Sequence, residues 1–420
     1  MRHLYTALWM LALPLVGLRL WWRGRRQPAY REHLAERFGR YPPVPAGPWI
    51  WIHAVSVGET RAAQPLVTAL LAAYPDHAIV LTHMTPTGRD TAQSLFAEHA
   101  ARVRSVYLPY DLPSLQARFL RHYQPRIGIL METEVWPNLV ATCHQRHIPL
   151  MLANGRLSQR SSRRYRRLGA LARAAFGGFD VVAAQTSADA ERFRALGTRE
   201  VEITGNIKFD IAPDATAMAL GKQWRAALGG RKVVLAASTR EGEEALMLAA
   251  AGPLLADGAL LVIVPRHPQR FDAVAAQIAA AGLTMSRRSQ NAAPQPGDAV
   301  WLGDSMGEMA AYYALADVAL IGGAWLPFGG QNLIECCAAG TPALLGPHTF
   351  NFLDASEQAI AAGAATRHDD VASAMRAAQA LLSQDAERGR MGAAGQAFAE
   401  RHGGATARTM ALIVPLISAR

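Results

Sequence analysis

The chain has 420 residues, half of them apolar and 18% charged, with 35 Gly and 24 Pro distributed along its length. That composition excludes a disordered tail protein or a small disulfide scaffold, and the length predicts two globular domains. Lys and Arg exceed Asp and Glu by ten, which suggests an anionic partner such as a phosphate, a nucleic acid or an acidic membrane. Three cysteines, Cys143 and the adjacent Cys336 and Cys337, have neither the count for a disulfide framework nor the C-x-x-C spacing of a zinc site, and fit a reducing compartment.

The first element is an apolar run from Leu4 to Leu18, about 22 Å long as a helix against roughly 30 Å of bilayer hydrocarbon. Arg19, Trp21, Trp22, Arg23, Arg25 and Arg26 follow it, which puts indoles at headgroup depth and cations beyond them. A cleaved secretory signal carries its charge before the apolar stretch. The order here therefore reads as a retained, membrane-seated anchor with the rest of the chain cytosolic, the other reading being a helix packed on the body of the protein. Proline-rich residues 41–48 then break the pattern.

From there, short apolar runs alternate with helical periodicity, as in parallel sheets wrapped by crossover helices. Strands are predicted over Trp49–Val55, Ala78–Met84, Val103–Pro109, Ile127–Glu132, Leu150–Ala153, Val181–Gln185 and Val201–Thr204. After a candidate linker, Ile211-Ala212-Pro213-Asp214, a second set comprises Val233–Ser238, Ala259–Pro265, Ala299–Leu302, Val318–Gly322 and Pro342–Leu345. The expected fold class is α/β, with two doubly wound, Rossmann-like domains whose carboxyl strand ends face a shared cleft. The expected division is an anchor and basic segment over 1–45, domains over 46–212 and 213–395, and a helical tail over 396–420.

Three S-x-x-E patterns fall where strands hand over to helices: Ser56-Val57-Gly58-Glu59, Ser238-Thr239-Arg240-Glu241 and Ser305-Met306-Gly307-Glu308. The spacing is that of a capping box, whereas the location is the ligand edge of such a sheet. Glu59 is positioned to take a proton from an attacking hydroxyl, and a helix N-terminus there would favour its ionised form while weakening it as a base. His53, alternating with apolar neighbours, reads as a satisfied core imidazole.

Glu132 and Glu134 sit at a strand end before a proline-started helix; if the strand breaks there, only one need enter the site, and without a third ligand a metal is not expected. Two prolines stiffen a loop that presents Arg266. The run from Gly322 to Glu335 offers paired glycines whose amides would approach a phosphate, with Asn332 and Glu335 placed for a ribose or base, yet it matches neither G-x-G-x-x-G nor a P-loop. Arg156, Arg160, Arg163, Arg164, Arg166 and Arg167 crowd one segment: a solvated face, a seat for lipid phosphates, or a nucleic-acid surface, the last weakened by the absence of a helix-turn-helix or interleaved aromatics.

Together, the segments His53–Glu59, Glu132–Asn138, Gly205–Asp210, Pro265–Pro268, Gly303–Glu308 and Gly329–Glu335 make the chain resemble the 3-deoxy-D-manno-octulosonic acid (Kdo) transferases of lipid A assembly. The resemblance implies a GT-B glycosyltransferase fold, CMP-Kdo as donor, a lipid A precursor (lipid IVA) as acceptor, and work at the cytoplasmic face of the inner membrane among its anionic lipids. It implies inverting transfer with Glu59 as proton acceptor, and Glu132 and Lys208 stabilising the transition state. Pro265 with Arg266, Met306 to Glu308 (through Gly307), and Asn332 to Glu335 (through Leu333 and Ile334) fall on CMP-binding positions. Gln331 stands where His is commoner in the family. No cofactor or nucleic acid is expected, and no metal, since CMP leaves with a single phosphate. The competing readings are another GT-B transferase using a nucleotide diphosphate sugar and a lipid-linked acceptor, and a noncatalytic membrane-associated nucleotide-binding protein.

Overall fold

Two all-parallel seven-stranded sheets organise the computed structural model, which describes residues 1–211, 213–290 and 293–418, the Arg26 side chain aside. The chain divides into one compact unit formed by Met1–Ile211 with Gly403–Arg420, and a second formed by Ala212–His402. Ala212 of the candidate linker lies outside the described residues.

In the first unit the strands are Trp49–His53 (β1), Ala78–His83 (β2), Val103–Tyr107 (β3), Pro125–Met131 (β4), Leu150–Gly155 (β5), Val181–Ala184 (β6) and Val201–Ile203 (β7), in the order 3-2-1-4-5-6-7. Both faces of this sheet are covered, which is why its strands read as continuous apolar runs. Trp49 and Trp51 point into one core with Phe119 and Tyr123, and Ile50 and Ile52 into the other with Leu66, Leu70 and Ile413. Trp51 is fully buried and donates its indole N–H to Thr82 Oγ1 at 2.8 Å. Gly128 in β4 makes room for it: a Cβ there would lie 2.7 Å from the indole ring.

The second unit contains Val233–Thr239 (β8), Leu260–Pro265 (β9), Met285–Arg287 (β10), Val300–Leu302 (β11), Val318–Ile321 (β12), Ala343–Leu345 (β13) and Ala365–Arg367 (β14), in the order 10-11-9-8-12-13-14. β10 and β14 were not expected. Each is a three-residue edge strand ending in Arg, too short and polar to register as an apolar run.

The C-terminal region does not behave as one tail from residue 396. The helix Asp385–His402 runs through that position within the second unit, and only then does the chain return, the helix Ala405–Ser418 burying Ile413 and Ile417 in the first unit's core. Asp210 pins this return by accepting the N–H groups of Gly404 and Thr406.

The N-terminal helix extends from Arg2 to Arg26, about 37 Å, longer than the apolar run because the Arg- and Trp-rich continuation stays helical. It is the one helix among the described residues long and apolar enough to cross a membrane. One face packs Trp9, Leu13, Val16 and Leu20 against Tyr110, Leu112 and Leu115. Tyr5 donates to Asp111 at 3.0 Å, and the same carboxylate accepts the N–H groups of Asn138 and Leu139 at the start of the helix Pro137–Gln145. The opposite face leaves Leu4, Leu8, Leu11, Leu15, Leu18 and Trp22 exposed at helical spacing. The two readings offered by the sequence were alternatives, an anchor or a helix packed on the body; the helix packs one face on the first unit and leaves the other face apolar and exposed.

Candidate active site

In the first unit, the segments that follow β1, β4 and β7 carry Glu59, Glu132 with Glu134, and Lys208, the residues singled out from the sequence. Ser56 caps the helix Val57–Ala73, its Oγ accepting from the Glu59 N–H at 3.5 Å. Glu59 reaches back one residue further than a regular capping box, its Oε2 accepting from the Val55 N–H at 2.6 Å and its Oε1 from the Ser56 hydroxyl at 3.3 Å. These bonds hold the carboxyl in place. They do not, as expected, make it a weak base: burial first, then the charges of Glu132 and Glu134, push its pKa up to about 8 despite the two donors.

The strand β4 ends at Met131, and Glu132 adopts a left-handed φ of 54°. The strand thus breaks there, yet both Glu132 and Glu134 act on Glu59, where a broken strand was expected to need only one of them in the site. Glu132 Oε1 accepts from Lys208 Nζ at 2.8 Å, a partly buried ion pair spanning 76 residues of sequence. Glu134 accepts from the Trp136 indole at 2.7 Å and is itself pushed upward by burial, then by Glu132. His53 is fully buried, as expected, but only one side of its ring is satisfied: Nδ1 contacts Thr82 Oγ1 at 2.9 Å, while Nε2 has no hydrogen bond and lies 3.9 Å from Glu134. Burial, then His83, depresses its pKa to about 3, so it is neutral.

Sequence reasoning missed the support for Lys208. Asn154, at the end of β5 with a φ of 54°, accepts from the Ile207 N–H at 3.1 Å, and Asn206 accepts from the Lys208 N–H at 3.0 Å. Asn tolerates left-handed backbone better than most residues, so the Asn154-Gly155 pair at a strand end was the available signal.

The second unit gathers the remaining residues at the carboxyl edge of its sheet. Pro265 ends β9 and Arg266 follows, its N–H donating to Thr239 O at 3.0 Å. Met306 is exposed, Gly307 has a φ of 83°, and Glu308 takes both arms of Arg288 at 2.8 and 3.1 Å. Asn332 donates to Glu335 at 3.0 Å and accepts the Ile334 N–H at 3.1 Å, while Leu333 and Ile334 are buried.

Two of the three S-x-x-E patterns are not caps. Ser238 lies inside β8 with a φ of 56°, and its helix begins at Glu243 behind Gly242. The Ser305 hydroxyl pairs with the Tyr312 phenol at 2.9 Å, and Glu308, itself the N-cap residue, turns to Arg288. The glycine loop also departs from expectation. The N–H groups of Gly323, Trp325 and Leu326 point at the buried carboxylate of Glu243, at 2.7, 3.0 and 3.4 Å, and Arg240 N–H joins them at 2.8 Å. Gly330 N–H is taken by Gly323 O at 2.7 Å. An internal carboxylate thus takes the Gly323 amide, and backbone carbonyls take those of Gly322 and Gly330, three of the amides that a phosphate was expected to meet. Burial pushes the Glu243 pKa up, against the pull of those four donors.

Comparisons with known proteins agree on the family. The model described as 3-Deoxy-D-manno-octulosonic-acid transferase (kdotransferase) matches residues 32–211. The 3-deoxy-D-manno-octulosonic acid transferase of Bordetella pertussis is 46% identical, covering 97% of this chain and 98% of that one. The protein of the same description from Haemophilus influenzae is 37% identical over 99% of each chain. A solved glycosyltransferase from Rickettsia africae, only 10% identical, covers 89% of this chain and 99% of its own with a TM-score of 0.61, which is a likeness of fold.

Proposed function

The chain belongs to the 3-deoxy-D-manno-octulosonic acid (Kdo) transferase family and is a glycosyltransferase, and on that premise we propose that it transfers Kdo from CMP-Kdo to a lipid A precursor, with Glu59 as general base. The observation that carries this reading is the carboxylate cluster of the first unit: Glu59, held by Val55 and Ser56 and raised to about 8 by burial and by Glu132 and Glu134, is matched to accept a proton near neutral pH. A sugar hydroxyl of the acceptor gives its proton to Glu59 as its oxygen bonds to the anomeric carbon. The bond from that carbon to the phosphate oxygen breaks, the pair of electrons leaves with CMP, and the configuration inverts in one displacement.

Lys208, fixed by Glu132, and Arg266 supply positive charge for the departing phosphate, a task worth on the order of 3 kcal/mol per donor. Pro265, Arg266, Met306 to Glu308 and Asn332 to Glu335 hold the cytidylate. The open apolar face of the N-terminal helix and the exposed arginines of the helix Gln159–Arg167 support a seat on the anionic, cytoplasmic face of the inner membrane, where such an acceptor resides.

The test is mass analysis of a lipid A precursor after incubation with the purified protein and CMP-Kdo. The expected result is a mass gain of one or more Kdo units, absent with Glu59→Gln. A gain from UDP-sugars instead, or none from any donor with nucleotide still bound, would favour the competing transferase or the noncatalytic reading.

A further inference from the structure

Arg240 belongs to none of the positions assigned above, yet its surroundings are those of an anion site. Thr239 of β8 is in register with Pro265 of β9, so Arg240 and Arg266 leave adjacent parallel strands side by side. The Arg240 N–H is fixed by Glu243 at 2.8 Å, and its guanidinium lies 4.6 Å from the centroid of Phe328, in the glycine-bordered loop that the same carboxylate organises. Backbone and side chain are therefore both held, by separate elements.

Arg240 is partly buried and makes no ion pair among the described residues, whereas its neighbour Arg270 is saturated by Glu244 at 2.6 and 3.0 Å. Arg240, Arg266 and Arg270 all bear on His267, adding to burial in depressing its pKa. A guanidinium oriented by an aromatic ring, with no ionic partner of its own among the described residues, is preset to take an anion.

The donor of the proposed reaction has two anions: the phosphate of the nucleotide and the carboxylate of the octulosonic acid. Arg266 falls on a nucleotide position. We infer that Arg240, oriented by Phe328 and Glu243, binds the carboxylate of the donor sugar and so selects an acidic sugar over a neutral one. A planar guanidinium held at a fixed tilt suits bidentate carboxylate recognition in a way that a lysine does not.

This inference rests on the donor reading, and the experiment separates the two. CMP lacks the sugar carboxylate, so the KM for CMP-Kdo and the inhibition constant of CMP are measured side by side for the wild type, Arg240→Gln and Arg240→Lys, with thermal melts confirming folding. The expected result is a KM raised about 10- to 100-fold in Arg240→Gln, less in Arg240→Lys, with the CMP constant changed less than twofold. If both constants move together, Arg240 holds the nucleotide phosphate. If neither moves, its role is packing against Phe328. Either outcome overturns the inference alone. A wild type that neither binds CMP nor uses CMP-Kdo overturns the donor reading and this inference with it.

Discussion

Glu59→Gln should stabilise the first unit while removing turnover, and the size of the gain should depend on pH. Glutamine keeps an oxygen to accept the Val55 N–H at the helix start, so the cap survives, but it carries no charge into the buried cluster. Raising a carboxyl pKa from 4.5 to about 8 means that the folded state binds the proton more tightly than the unfolded state. Stability therefore falls as pH rises through that window, and the loss is complete above the folded value. From the linkage relation the wild type gives up about 0.2 kcal/mol at pH 4, about 3 at pH 7 and about 5 at pH 9. Denaturation of wild type and Glu59→Gln at those three pH values, followed by a probe in the first unit such as Trp51 fluorescence, should show near-equal stability in acid and a growing advantage of the variant in alkali. A variant less stable by the same amount at every pH would refute the reasoning, since Glu59 would then act only as a cap.

Three further outcomes follow from the same contacts. Lys208→Met leaves Glu132 uncompensated beside Glu59, so the acid limb of the pH–rate profile should move to higher pH as kcat falls; an unmoved limb would contradict the electrostatic coupling. Glu243→Gln replaces one acceptor oxygen with a donor facing backbone N–H groups, which should cost the second unit about 2–4 kcal/mol in a thermal or denaturant melt and raise the donor KM. The pair Leu11→Asp and Leu15→Asp, both on the open face of the N-terminal helix, should abolish sedimentation with anionic vesicles while leaving the melting temperature nearly unchanged. A lowered melting temperature there would mean that this face packs against protein.

The parts legible in the sequence were those governed by short-range pattern. Twelve strands stood out because parallel strands covered on both faces, such as Ile127–Met131 and Leu260–Val264, are unbroken apolar runs, and the motif residues lie where such strands end. What spacing could not reveal was three-dimensional company. Nothing local says that Lys208 meets Glu132, that Glu134 as well as Glu132 bears on Glu59, or that Glu243 takes the Gly323 amide of the glycine loop. The S-x-x-E spacing is the clearest case: identical patterns gave a cap at Ser56, an interior strand position at Ser238 and a phenol partner at Ser305. The backbone at each serine, and the partners that Glu59 and Glu308 meet, decided the difference. Glu59 likewise was read from its helix end alone, whereas burial and two neighbouring carboxylates outweigh that term.

The pH dependence of transfer by the unmodified protein tests the assignment of the base most directly. With saturating CMP-Kdo and lipid A precursor, kcat should rise about tenfold per pH unit through the acid range and level off near pH 8, the value to which the cluster raises Glu59. A rate already at its plateau by pH 6 would place the proton acceptor elsewhere.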